Sequence, residues 1–230
     1  MFSTLLIAAG VLLLAWAFVV WRWSDPFTGL YTRWEQRQLE SSFEQTLQRE
    51  ADARRTDDGT APTGPREPIG ELARRFWSDA GNGDAIAKLT IDRLGLNVIV
   101  VKGTDSGSLK KGPGLDGRTA MPGEGQLVYI AGHRTTYLAP FSHIDQLVKG
   151  DVIRLQTPYA RFEYAVTGHR IVKADNLSVL RSPGHEVLAL QACHPRFFAT
   201  ERYIVYALPR RVSRAGAVAA EAVAAGTKTQ

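Results

Sequence analysis

The chain has 230 residues, a formal net charge of +5 and 44% hydrophobic residues, which suits one folded domain with appended segments. Its basic residues are spread along the sequence without a recognition helix or an aromatic RNA-binding motif, so the composition argues against nucleic acid as a partner. The single cysteine excludes an intramolecular disulfide and a multi-cysteine zinc ribbon.

The first 21 residues carry no charged side chain and are long enough to cross a membrane as a helix rising about 1.5 Å per residue. Trp16, Trp21 and Trp23 cluster at the end of this run, as interfacial aromatic residues do. A cleaved signal peptide is the alternative, but no Lys or Arg precedes the run and no clear Ala-x-Ala site follows it. The sequence therefore predicts a transmembrane anchor over residues 1–23 that places the protein at a lipid membrane.

Residues 24–84 are predicted to form a stalk and a flexible linker. Leu39, Phe43 and Leu47 recur every four residues and make one narrow apolar stripe, which favours a stalk helix or a weak self-association seam. The stretch "TDDGTAPTGPREP" offers little to bury and reads as the linker. "IGELARRFW" has helical apolar spacing and predicts a short helix packed on the following domain.

Residues 85–212 are rich in β-forming segments separated by Gly, Pro and Asp turns. Several of these segments alternate apolar with polar residues, as half-buried strands do. Many short strands with little helix between them indicate an all-β domain, either a closed barrel or a sandwich. The Ala-rich tail, residues 213–230, is predicted to be a frayed helix.

The cysteine, Cys193, ends the strand "EVLALQAC", and Arg202 opens the next strand, "RYIVYAL". If these strands pair as an antiparallel hairpin, the two residues face each other across the connecting loop. A neighbouring guanidinium favours a thiolate and can hold an oxyanion. The alternative is that Cys193 is a small core residue without chemistry.

A reactive thiol needs a group that accepts and returns its proton. His133 directly follows Gly132 at the end of the strand "GQLVYIAG" and is the better placed histidine. His194 adjoins Cys193, but neighbouring side chains of a strand point to opposite faces. The remaining three histidines lie in loop or mid-strand contexts, and the five together lack metal-ligand spacing, so we expect no metal site.

Two segments, "AGHRTTYLAPFSHIDQL" and "LQACHPRFFATERYIVYA", together resemble the sortase family, and within it the class E housekeeping sortases of actinobacteria. The resemblance covers roughly residues 85–210. It implies an eight-stranded sortase-type β-barrel with a few short helices and a membrane-anchored cysteine transpeptidase that uses no cofactor. It also implies that Cys193 is the nucleophile, that His133 is the general acid/base and that Arg202 stabilises the oxyanion and positions the substrate.

The resemblance further implies the partners and the location of the enzyme. It would cleave a C-terminal LAxTG- or LPxTG-like sorting signal of secreted proteins through a thioacyl-enzyme and join the protein to an amine of a peptidoglycan precursor. The catalytic domain would lie outside the cell membrane, although the arginines that follow the apolar run favour the opposite orientation.

The family motif T-L-x-T-C reads Ala189-Leu190-Gln191-Ala192-Cys193 in this chain, so both threonines are replaced by alanine. Ala192, next to the nucleophile, and Tyr137, after the histidine motif, are predicted to contact the substrate. Arg196 is the second candidate for the arginine role.

Two alternatives to this leading interpretation, a second and a third, remain open at this point. A related barrel could act mainly as a hydrolase, or as a pilin polymerase that uses a lysine amine. A non-catalytic barrel at the cell surface, in which Cys193 is inert, is the third possibility.

Overall fold

The computed structural model describes residues 2–23, 26–57 and 67–215. The α-helices in these ranges are α1 (Phe2–Trp23), α2 (Pro26–Asp57), α3 (Ile69–Asp79) and α4 (Ser106–Lys111). The strands are β1 (Ala85–Ile91), β2 (Leu96–Lys102), β3 (Gly114–Leu115), β4 (Leu127–Gly132), β5 (Val152–Gln156), β6 (Ala160–Lys173), β7 (Val187–His194) and β8 (Glu201–Arg214). Short 3-10 helices lie at Asp92–Leu94, Ile144–Gln146 and Leu177–Leu180.

The eight strands close into a barrel in the order β1-β2-β3-β4-β7-β8-β6-β5. Two neighbouring pairs, β2 with β3 and β4 with β7, are parallel, and the other pairs are antiparallel. The predicted all-β class and the eight-stranded barrel are therefore confirmed. The predicted short helix before the barrel is present as α3.

Both faces of the sheet around β4 and β7 are covered. Leu188 and Leu190 of β7 pack into the main core, which fills the barrel interior. The alternating residues Val187 and Ala189 belong to a second cluster on the outer face, covered by the 3-10 helix Leu177–Leu180. The outer face of this sheet is therefore sheltered from solvent, which makes it a suitable place for a site.

The apolar stripe of α2 packs on the barrel. Leu39 and Phe43 are buried against Ile99 and Val101 of β2, with Leu47 partly buried beside them. The stripe predicted for a stalk or a self-association seam is thus occupied within the chain. Its burial removes apolar surface of both elements from water and holds α2 against β2.

Gln36 of α2 adds hydrogen bonds at the same contact. Its side-chain amide accepts from the Ile99 N–H at 2.8 Å and donates to the carbonyl oxygens of Ile99 at 3.1 Å and Lys111 at 2.8 Å. The parallel partner strand β3 reaches only the last two residues of β2. Gln36 therefore satisfies backbone groups of Ile99 that none of the described strands pairs on that side.

No helix in the described part of the chain is both long and apolar enough to cross a membrane, so the anchor predicted for residues 1–23 is not confirmed. Most of the predicted linker, residues 58–66, and the tail from residue 216 onward lie outside the described residues.

Candidate active site

The register of β7 and β8 places Cys193 and Arg202 directly opposite each other. They are Cα partners in the antiparallel ladder, followed by the pair His194 and Glu201 at the end of the hairpin. Directly opposed residues of an antiparallel pair project to the same face of the sheet. The thiol and the guanidinium therefore share one face, and the thiol is free and partly exposed.

The parallel pairing of β4 with β7 brings His133 to the same place. Gly132 is the Cα partner of Ala192, so the next residues along the two strands, His133 and Cys193, leave the sheet side by side. A Cβ on Gly132 would lie 2.5 Å from the buried ring of Phe141. Only glycine lets that ring close against the strand end, where the Phe141 N–H donates to the His133 carbonyl at 3.1 Å.

The three side chains lie on the outer face of the barrel wall. Tyr129 and Ala189 lie an even number of residues before His133 and Cys193, so they face the same side of the sheet, and both belong to the outer cluster. Leu190 and Ala192 face the opposite side and belong to the interior core. The sequence placed Cys193 and His133 at the ends of their strands and Arg202 at the start of the next one, positions that lie at the rim of a closed barrel. The structure places the side chains at that rim but outside the barrel, under the segment that joins β6 to β7.

A cavity of about 260 Å³ connects the candidate residues, and Cys193, His133 and Arg202 all line it. Leu177, Val179 and Leu180 form its apolar wall. A larger open groove of about 890 Å³ lies on the outer surface of β1, β5, β6 and β8, and its lining holds no cysteine or histidine. The smaller cavity is therefore the one suited to thiol chemistry.

The guanidinium of Arg202 is held by the backbone at the mouth of the hairpin. Its Nη1 donates to the carbonyl oxygens of Ala199 at 2.8 Å and Glu201 at 2.9 Å. Both bonds use one nitrogen, so the planar fork keeps donors for a ligand in the cavity. Arg196 instead donates to the Ser142 carbonyl and does not line the cavity, so the geometry favours Arg202 for the arginine role.

His133 is partly buried. Burial lowers its pKa below the ordinary imidazole value because the charged form loses hydration. The Tyr137 ring lies 5.0 Å from the imidazole, centroid to centroid, and helps to cover it. Within this structure Tyr137 packs beside the ring of His133. Its predicted contact with the substrate stays a prediction.

Ala192 has its side chain in the barrel core, with none of its surface exposed. It does not line the cavity, because neighbouring residues of a strand face opposite sides and Cys193 faces outward. The side-chain contact predicted between Ala192 and the substrate is therefore not seen in this geometry. A threonine at that position would direct its hydroxyl into the core as well.

A polar pair that the sequence reasoning missed forms another wall of the cavity. Asp116 is almost fully buried and accepts hydrogen bonds from Arg118 at Oδ1 and Oδ2, at 2.9 and 2.7 Å. These bonds lower the pKa of the Asp116 carboxyl, against the opposing effect of burial. The two residues lie in the loop after β3 and carried no motif, so no pattern in the sequence marked them.

The comparisons with known proteins agree with this geometry. A model described as "Sortase domain" matches residues 89–210, which is more than half of the chain. Sortase D of Bacillus subtilis is 33% identical over 128 residues, covering 54% of this chain and 63% of that protein. The chain therefore aligns with just under two thirds of this curated relative.

Two solved structures are similar to the chain. A Sortase D5 transpeptidase of Clostridium perfringens has a TM-score of 0.61 at 23% identity, covering 77% of this chain and 99% of that one, and supports the fold alone. Sortase E1 of Streptomyces coelicolor, solved with a tripeptide in its active site, has a TM-score of 0.53 at 30% identity, covering 57% of this chain and 91% of that one.

The family match and the closed barrel together identify the chain: it belongs to the sortase family. The similar proteins include sortases named D, D5 and E1, so the comparisons do not single out class E.

Proposed function

We propose that this protein is a cysteine transpeptidase that cleaves a sorting signal near the C-terminus of a secreted protein and transfers that protein to an amine. The observation that carries the proposal is the shared cavity of Cys193, His133 and Arg202, which come from the ends of three strands. Thiol, imidazole and guanidinium are the groups that an acyl transfer through a thioester requires.

In the first half of the reaction, the thiol of Cys193 gives its proton to His133, and the resulting thiolate attacks the carbonyl carbon of the signal's threonine. A carbon–sulfur bond forms, and the carbonyl oxygen becomes an oxyanion that accepts hydrogen bonds from Arg202. The carbon–nitrogen bond then breaks, and the imidazolium of His133 gives its proton to the departing amine. The product is a thioacyl-enzyme with neutral His133.

In the second half, an acceptor amine attacks the thioester carbon and forms the new amide bond. The amine gives a proton to His133, and the carbon–sulfur bond breaks to return the thiolate of Cys193. We assign an amine of a peptidoglycan precursor as the acceptor. Water at this step would give hydrolysis instead, so the acceptor decides between the two outcomes.

The apolar wall of Leu177, Val179 and Leu180 supports an LAxTG- or LPxTG-like signal, because it offers a contact for an apolar side chain upstream of the scissile bond. The resemblance of the histidine and cysteine segments to class E sortases favours the LAxTG form. Location at the cell membrane, with the catalytic domain outside, also belongs to the proposal, since the substrates are secreted. Cell fractionation combined with protease accessibility tests it.

The proposal is tested with the full chain, an LAxTG peptide and a small amine, analysed by mass spectrometry. We expect a thioacyl adduct on Cys193 and a product in which the amine replaces the residues after threonine. The Cys193→Ala variant is expected to give neither species. Absence of both species from the wild type, with LAxTG and LPxTG peptides alike, overturns the proposal and favours a binding barrel.

The same experiment separates the related reactions. Cleavage without incorporation of any amine indicates a hydrolase. Incorporation of a lysine side-chain amine in preference to the α-amine of a peptidoglycan-like peptide indicates a polymerase that joins protein subunits.

A further inference from the structure

Arg134 lies behind the candidate site, on the inner face of the same strand ends. It directly follows His133, as His194 directly follows Cys193. Neighbouring side chains of a strand point to opposite sides, so His194 of β7 faces away from the cavity that Cys193 lines. Arg134 lies in the bend just after β4 and contacts His194 on that side. The Arg134 side chain is accordingly only 3% exposed.

The buried guanidinium touches four other residues at once. Its Nη1 donates to the backbone carbonyl of Cys193 at 3.3 Å and to Nδ1 of His194 at 2.9 Å. Its Nη2 pairs with the carboxylate of Asp145 at 2.9 Å. Its Cζ lies 5.7 Å from the centroid of the Tyr203 ring, within cation–π range.

These contacts fix the chain on both sides of the reacting pair. A guanidinium can only donate, so Nδ1 of His194 is an acceptor and that ring carries its proton on Nε2. His194 is then held as a partner of Arg134, turned away from the cavity. The segment that carries His133 and the segment that carries Cys193 are joined through one rigid planar group.

We propose that Arg134 is a positioning residue, whose guanidinium holds the Cys193 carbonyl and the His194 ring and thereby sets the separation between the thiol of Cys193 and the imidazole of His133. The proposal rests on the function assigned above, since that separation matters only if the two groups react together.

The environment of Arg134 favours this role over a purely structural one. Its Nε is buried and, within the described residues, has no hydrogen-bond partner. A buried arginine with an unpaired donor is a poor source of stability, because a buried charge needs all its donors satisfied. Its Nη1 donors are directed at the nucleophile segment, and catalysis is sensitive to shifts of that segment of the order of an ångström.

The test uses the full chain with Arg134→Met, which keeps an apolar stem of similar length, and Arg134→Lys, which keeps the charge but not the fork. We expect kcat on an LAxTG peptide to fall about 10- to 100-fold in Arg134→Met with KM nearly unchanged, and less in Arg134→Lys. Arg93→Met is the matched control, because Arg93 forms an ion pair with Asp151 away from the site. Wild-type kcat in both Arg134 variants overturns the proposal, and so does an equal change of kcat and KM.

A second readout needs no peptide substrate. The rate at which iodoacetamide alkylates Cys193 at neutral pH is measured with and without His133→Ala, in the wild-type and in the Arg134→Met background. We expect His133→Ala to change the rate in the wild type and to change it several-fold less in Arg134→Met, because thiol and imidazole are then uncoupled.

The same effect of His133→Ala in both backgrounds, including no effect in either, overturns the positioning role. If Arg134→Met does not fold, Arg134→Lys serves as the second background and is judged in the same way. The protein could show an effect of His133→Ala on alkylation that depends on Arg134 and yet form no transpeptidation product. That result would support the positioning role and reject only the proposed reaction.

Discussion

The contact between Gln36 and the backbone of β2 predicts a large effect of one substitution far from the cavity. Gln36→Ala removes three hydrogen bonds, two to Ile99 and one to Lys111. At about 1 kcal/mol for each bond, the loss is about 3 kcal/mol of unfolding free energy. Ile99 is almost fully buried, so water replaces these bonds poorly and the cost is not reduced by rehydration. For a domain of this size, the corresponding drop in Tm is about 6–12 °C.

The assay is urea and thermal unfolding of the full chain, followed by circular dichroism. Gln38→Ala is the matched control, since Gln38 is exposed on the same helix, and we expect its unfolding free energy to stay near that of the wild type. Gln36→Glu is expected to be as damaging as the alanine variant, because a carboxylate can accept from the Ile99 N–H but repels the two carbonyl oxygens. A loss in Gln36→Ala no greater than that in Gln38→Ala would refute the reasoning.

Two further predictions concern the cavity. Arg202→Lys keeps the charge but loses the planar donor fork, so we expect a kcat about 10²-fold lower by steady-state assay, whereas Arg196→Lys should keep the wild-type value; the reverse pattern would transfer the role to Arg196. The reactive thiolate–imidazolium pair holds one proton in total, as a thiol with a neutral imidazole does, so it is lost on the acid side when the pair binds a second proton. Because burial lowers the pKa of His133, that second proton should bind below the ordinary imidazole value of ~6.5, and the acid limb of the pH profile of kcat/KM should lie there. Tyr137→Ala uncovers the ring and should move that limb upward, and a limb that starts above 6.5 or does not move contradicts this explanation.

The fold and the local part of the site could be predicted from the sequence. Alternating segments and turn residues indicated an all-β domain, a barrel or a sandwich, and the resemblance to sortases favoured the barrel. The meeting of Cys193 with Arg202 follows from a single hairpin whose partners are close in the chain. The position of His133 depended on a parallel pairing between β4 and β7, which lie about sixty residues apart, and local patterns do not specify such a pairing.

The face on which the site lies could not be predicted. All six residues of β4 are buried, because the core covers one face and the segment after β6 covers the other. Alternation of apolar and polar residues disappears in a strand that is covered on both sides, so the sequence did not tell whether His133 faces the interior or the outside. The docking of α2 was missed for a related reason: an apolar stripe shows that a partner exists, not which partner it is.

In each of the dipeptides His133–Arg134 and Cys193–His194, the first residue lines the cavity and the second lies on the other side of the barrel wall, where Arg134 and His194 contact each other. Deleting or inserting one residue in β4 or β7 would turn the proposed nucleophile or base inward and its neighbour outward, with the apolar content of the strand hardly changed. The number of residues between the start of each strand and its dipeptide is therefore constrained more tightly than most of the side chains along it. Natural or engineered diversity in this protein should thus accumulate as substitutions within these two strands and as length changes only in the loops beyond them.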